Sequence, residues 1–120
     1  MAENFMAALQ HSDQIDITVT GRNTGRQITL PVWFVTERDQ LYLVPVRGSD
    51  SDWYKNLLAT PRMQVAGDGQ RITATAQPMS PDRVQAMVDK FREKYGADQV
   101  AEYYPKTDVA VEVDLSASAG

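Results

Sequence analysis

Residues 15–35 read I-D-I-T-V-T-G-R-N-T-G-R-Q-I-T-L-P-V-W-F-V. Ile15, Ile17 and Val19 alternate with Asp16, Thr18 and Thr20. This period of two puts the apolar residues on one face of a half-buried strand. Gly21 to Gly25 interrupts the alternation as a turn. Alternation resumes with Ile28, Leu30, Val32 and Phe34 on one face and Thr29, Pro31, Trp33 and Val35 on the other. Two such strands on either side of a short turn predict an antiparallel pair.

The segments that follow extend the same pattern. Glu37 to Gln40 predicts a hairpin loop, and Leu41 to Val46 a third strand, apolar enough to be covered on both faces. Met63 and Val65 share a face of a short strand opposite Gln64 and Ala66. Gly67–Asp68–Gly69 signals a hairpin. The return strand, Arg71 to Gln77, carries Ile72, Ala74 and Ala76 on one face and Thr73 and Thr75 on the other. Val109, Val111 and Val113 alternate with Ala110, Glu112 and Asp114 in a last strand.

Helices fall between these strands. Ser or Asp in the Arg47–Ser51 loop can cap a helix whose first turn holds Asp52. Trp53 and Leu57 stack at i, i+4, as do Tyr54 and Leu58, and Pro61 stops the helix near Thr60. Ser80–Pro81–Asp82 opens a longer helix with a cap, a first-position proline and an early acid. Val84, Met87, Val88, Phe91 and Tyr95 form its apolar stripe, and Gly96 ends it. Asp98 to Tyr104 adds one or two turns before Pro105. Residues 2–11 predict a short amphipathic helix within an N-terminal segment, 1–14, and residues 116–120 predict a frayed tail. The expectation is a mainly β, α+β domain: six antiparallel strands in a small barrel, closed or split, with two or three inserted helices. A ferredoxin-like sandwich wants a more regular order of elements.

Composition narrows the function. The chain has 120 residues, 12 Lys and Arg, 16 Asp and Glu, one His and no Cys, for a net charge of −4. That length suits a single domain spanning 1–120. The charge argues against nucleic-acid binding, and the cations and acids are spread evenly along the chain. No stretch resembles a signal peptide or a membrane span, so the expectation is a soluble cytoplasmic protein. Without Cys there are no disulfides, thiolate metal sites or Cys nucleophiles. His11, between Gln10 and Ser12, reads as a solvated surface residue. No nucleophile–base pair, metal-ligand cluster, P-loop or dinucleotide fingerprint is present, so neither a catalytic side chain nor a metal site is assigned.

What remains is a cofactor-binding surface built on two loops. Gly21 to Arg26 offers glycine-permitted backbone amides flanked by Arg22 and Arg26, which suits a phosphate or carboxylate as well as it suits a tight turn. Val46–Arg47–Gly48–Ser49 runs into a helix N-terminus, another anion-binding geometry, although Asp50 and Asp52 bring negative charge there. Trp33, Trp53 and Tyr54 lie near these loops and suit either a ring-binding wall or a core. Trp53 and Tyr54 diverge by about 100° on their helix, so burying both requires broad cover.

The runs T-G-R-N-T-G-R-Q-I-T-L-P-V-W-F-V, L-Y-L-V-P-V-R-G-S and D-W-Y-K-N-L-L-A-T-P, with Y-Y-P-K-T-D-V-A-V-E-V near the end, resemble the deazaflavin-dependent nitroreductase family. The resemblance spans roughly Ile15 to Leu115. It implies a split β-barrel like the FMN-binding barrels, and hydride transfer from reduced coenzyme F-420, a deazaflavin, to a small-molecule substrate such as a quinone or nitro compound. Carried over by position, Thr24, Gly25 and Arg26, with Arg22 adding charge, would meet the cofactor's phosphate and acidic tail. Pro31 and Trp33 would border its ring. Val46, Arg47, Gly48 and Ser49 would lie beside the phosphate, and Trp53 and Asn56 would brace that loop. Tyr103 or Tyr104 would close the substrate side. Asn23 and Ile28 stand where the family has Lys and Arg. FMN or haem on a non-catalytic binding module of the same barrel is the alternative, and related barrels are often homodimers.

Overall fold

The computed structural model describes residues 12–38, 40–67 and 69–115. The helix expected over residues 2–11, His11 and the tail at 116–120 lie outside the described residues, and Ser12 to Gln14 are not helical. Among the described residues, seven strands form one sheet: β1 Ile15–Thr20, β2 Gln27–Val32, β3 Val35–Glu37, β4 Gln40–Leu43, β5 Arg62–Gly67, β6 Gln70–Pro78 and β7 Val111–Asp114. Their order is β2-β1-β5-β6-β7-β4-β3, and every pairing is antiparallel. β1 and β2 pair in register from Ile15 opposite Val32 to Thr20 opposite Gln27. The two ends of this order, β2 and β3, are neighbours in the chain, joined by Trp33 and Phe34. The sheet therefore curls until its edges meet at one corner.

The sequence predicts six strands because the alternation from Ile28 to Val35 is unbroken. The structure divides that run into β2 and β3, and the reason lies in the tertiary partners. β2 pairs with β1, whereas β3 pairs with β4. Phe34 is fully buried, and its backbone leaves the ladder for side-chain partners. The Phe34 amide donates to Tyr95 Oη at 3.1 Å, and its carbonyl accepts from Lys94 Nζ at 2.9 Å.

Among the described residues, three α-helices accompany the sheet: α1 Asp52–Ala59, α2 Pro81–Tyr95 and α3 Ala97–Tyr103. None of the helices among the described residues is long and apolar enough to cross a membrane. The concave side of the sheet is filled by Ile17, Val19, Phe34, Leu41, Leu43, Val65 and Val113, none with any exposed surface. α1 plugs this interior with Trp53, Tyr54 and Leu57, so both adjacent aromatics are buried. On the other side of β3 and β4, α2 lays Val84, Met87, Val88 and Phe91 against Val35, Tyr42 and Val44. β4 is thus covered on both faces, with Leu41 and Leu43 inward and Tyr42 outward.

The helix caps differ from expectation in detail. Ser51 and Ser80 occupy the cap positions of α1 and α2, but neither side chain bonds its helix. Ser51 Oγ instead accepts the Arg47 amide at 2.9 Å, which tightens the loop before α1. That loop is also fastened from outside. Ser49 donates to Asp108 through its amide at 2.9 Å and its hydroxyl at 2.6 Å, and Lys106 Nζ reaches Asp50 at 3.0 Å. The hydroxyl of Ser49 holds the Asp108 carboxyl below its usual range. Gly48 sits at φ +55°, where a Cβ would collide with Asp108 Oδ1 and the Lys106 side chain.

Two stability outcomes follow from this packing. Trp53→Ala should cost about 3–5 kcal/mol, because the indole is buried among barrel residues; an unchanged melting temperature would place the indole outside the core. Gly48→Ala should cost at least ~1–3 kcal/mol from the left-handed backbone alone, with the collision adding to it. Pairing it with Asp108→Ala should recover part of that loss, and chemical denaturation of the two variants and their combination measures it.

Candidate functional site

A cavity of about 750 Å³ opens where β2, the loop before α1 and helix α3 converge. That volume suits a small organic ligand with a flat ring. Its walls are mainly apolar: Ile28, Leu30, Pro31 and Val32 from β2, Trp33 from the crossover, Val46 and Trp53 from the other side, and Tyr103 and Tyr104 from the end of α3. The chain folds this way locally because β2 is an edge strand. Its apolar residues have no further strand to cover them, and Ile28 is 43% exposed.

The aromatic wall is built as a cluster. The Trp33 ring stacks on Tyr95 with centroids 4.2 Å apart and planes 5° from parallel. Tyr103 meets Trp33 edge-on at 5.5 Å, and Tyr104 lies tilted at 5.8 Å. Such offset and edge contacts are favourable ring geometries. Tyr104 is buried as a residue and lines the cavity. Burial raises its pKa, so the phenol stays protonated at neutral pH. The cavity therefore has a neutral hydroxyl donor in an apolar wall.

The polar groups of the cavity divide into those already engaged and those available. Asn56 is buried, and its Oδ1 accepts both the Arg22 amide at 3.1 Å and Arg22 Nη1 at 2.8 Å. Arg22 also pairs with Asp52 at 3.5 Å. Arg22 thus staples the Gly21–Gly25 turn to α1, and its cation is spent there. Arg47 lines the cavity and makes no ion pair among the described residues. It is the cation available to an anionic ligand at this opening.

The structure brings Pro31, Trp33, Val46, Arg47, Trp53, Asn56, Tyr103 and Tyr104 together around one space. It leaves Arg22, Thr24, Gly25, Arg26, Gly48 and Ser49 off the cavity lining. Thr24 Oγ1 accepts the Arg26 amide at 3.2 Å, and the Arg26 carbonyl accepts the Gly21 amide at 2.8 Å, so the glycine turn is closed on itself. Ser49 is engaged by Asp108, as described above. Gln14, Ile28, Leu30, Val32, Ser51, Asp52 and Gln99 also line the cavity and are not among the ligand-binding residues expected from sequence. Ile28, Leu30 and Val32 gave a signal as an apolar face; what the sequence hid was that their strand lies at an edge.

Comparison with known proteins agrees with this architecture. No curated protein matches the chain. A solved F420-H2 dependent reductase (FDR-A) superposes with a TM-score of 0.67 at 20% identity, covering 84% of this chain and 93% of its own. A structure described as a domain-swapped dimer gives 0.67 at 23% identity, over 92% and 94% of the two chains. HutZ, the heme storage protein of Vibrio cholerae, gives 0.68 at 13% identity, over 94% and 88%. These likenesses establish the fold as a split β-barrel. The family model for F420H2-dependent quinone reductase matches residues 3–116. With nearly the whole sequence matched, the chain belongs to the F420H2-dependent quinone reductase family.

Proposed function

We propose that this protein reduces quinones with reduced F-420 held in the cavity between β2, α1 and α3. Family membership makes coenzyme F-420 the cofactor. The observation that carries the reading to this site is the pairing of an apolar, aromatic cavity of about 750 Å³ with Arg47 on its lining, a cation with no ion pair among the described residues. A flat ring bearing an anionic extension needs that combination, so the residues present fit the group.

The chemistry supplied on binding is a hydride from reduced F-420, which with one proton converts a quinone to its hydroquinone. The protein's part is to bind, orient and exclude water. In this reading Arg47 meets the anionic portion, and Val46 and Trp53 flank the ring with Pro31. Asn56 braces Trp53's helix against the Arg22 turn. Arg26, Thr24 and Gly25 act at longer range on the acidic tail, and Gly48 and Ser49 keep the Arg47 loop in shape. Trp33, which the resemblance puts beside the cofactor ring, is assigned here to the substrate side with Tyr103 and Tyr104, because its indole packs against both tyrosines. The protonated Tyr104 hydroxyl donates a hydrogen bond to a quinone oxygen, favouring the reduced oxygen as charge develops there. A nitro group offers similar oxygens and is a second class of acceptor to assay. One similar structure is a domain-swapped dimer, and a homodimer belongs to this reading.

Titrations of purified protein with F-420, FMN and haem, and turnover with reduced F-420 and a soluble quinone, test it. Arg47→Ala should weaken F-420 binding about ten- to a hundredfold, the value of one charge-assisted contact where water is partly excluded. Arg26→Ala should cost less, since its site is off the cavity and solvent-screened. Arg38→Ala, in the β3–β4 turn, should change nothing. Equal losses at Arg38 and Arg47 would leave these loops as ordinary turns and favour a structural role, and tight FMN or haem binding without turnover would move the protein to a non-catalytic binding role.

A further inference from the structure

We infer that Tyr95, which does not line the cavity, is a positioning residue for the quinone, acting through the stacked Trp33 ring. This rests on the quinone-reductase reading above. Trp33 is half-buried in the crossover between β2 and β3, where the backbone has left both ladders. A wall residue in such a segment keeps one orientation only if something outside the sheet fixes it. The C-terminal end of α2 does this with the ring of Tyr95, and separately fastens the backbone of the corner with its hydroxyl.

The first contact fixes the backbone. Tyr95 Oη accepts the Phe34 amide at 3.1 Å, and its proton goes to the Asp13 carbonyl at 2.7 Å or the Phe34 carbonyl at 3.0 Å. Neighbouring Lys94 donates to the same Phe34 carbonyl at 2.9 Å and lies over the Phe34 ring at 3.6 Å. The second contact fixes the side chain, because the Tyr95 ring lies flat against the Trp33 indole. One face of the indole is thereby occupied by Tyr95. Tyr103 packs against the indole with its plane 77° away, and Tyr104 lies tilted beside it. These rings narrow the orientations from which the indole can form the cavity wall. A quinone is a planar ring, and a fixed aromatic wall selects its angle of approach.

The hydroxyl and the ring of Tyr95 have separable duties, and the test uses that. Tyr95→Phe keeps the stack and loses the hydrogen bonds; Tyr95→Leu loses both. Three quantities are measured: near-ultraviolet circular dichroism of the ligand-free protein, F-420 dissociation constants, and steady-state kinetics with a water-soluble naphthoquinone. Tyr95→Leu should lose the dichroism of the stacked pair, matching Trp33→Leu, and raise the quinone KM about tenfold. Its kcat and F-420 affinity should stay within about twofold of wild type. Tyr95→Phe should keep the dichroism and the KM while melting at a lower temperature. In a Trp33→Leu background, Tyr95→Leu should add no further change in KM, because both act through one contact.

An unchanged KM in folded Tyr95→Leu overturns the inference, as do additive effects in the double variant. If Tyr95→Leu does not fold, an altered KM in Tyr95→Phe with its dichroism intact overturns it equally, and a wild-type KM there supports it. A wild-type protein that binds F-420 but reduces no quinone overturns the reading on which the inference stands, so the two failures are told apart by the wild-type control.

Discussion

A chain that passes from one edge of a curled sheet to the other must leave its hydrogen-bond ladder, and the peptide that does so here is buried. Phe34 has no exposed surface. A buried amide and carbonyl without partners would each cost about 1–3 kcal/mol, enough to unmake such a corner. Tyr95 and Lys94 supply both partners from the end of α2. Their own ionisation is shaped by the same burial. The Tyr95 phenol is pushed up to about 12, and the Lys94 ammonium is pushed down by desolvation while Asp13 opposes the shift. The phenol is neutral and able to donate throughout the physiological range. Sheet closure and the seating of α2 depend on this one fastening, while the direction of Trp33 is set by the ring of Tyr95 stacked on it.

The division of polar groups around the cavity follows from a similar constraint. Two glycine-containing loops look alike in sequence as anion sites, yet the fold uses them differently. The Gly21–Gly25 turn spends Arg22 on Asn56 and Asp52 to anchor α1. The loop at Gly48 spends Ser49 and Asp50 on Asp108 and Lys106. Each loop is thereby rigid, and among the described residues Arg47 is the lining cation left without an ion pair. A rigid frame carrying Arg47 is an economical way to orient a ring by its anionic substituent, because little ordering remains to be done on binding.

Much of the fold was legible in the sequence because alternation and burial coincide. β1, β5, β6 and β7 appear where the period-two residues run, and the α2 stripe Val84, Met87, Val88 and Phe91 is the buried face. The division at Trp33–Phe34 was not legible, since alternation does not record which neighbour a strand pairs with. The caps misled for a related reason: serine is favoured at a cap position, but a nearby loop amide can claim its oxygen, as Arg47 does at Ser51. Of the candidate site, the aromatic and proline positions could be read from motif resemblance. Residues such as Gln14 and Gln99 could not, because they reach the cavity only after the sheet has curled and α3 has docked.

The central claim is that F-420 occupies the cavity bounded by β2, the Arg47 loop and the end of α3. Amide hydrogen exchange of the protein with and without F-420 tests it most directly. The account predicts slowed exchange in three segments distant in sequence, residues 28–33, 46–56 and 99–104, with the β3–β4 turn and the β5–β6 hairpin unchanged. Protection confined to the Gly21–Arg26 turn, or appearing along β5 and β6 instead, would contradict it.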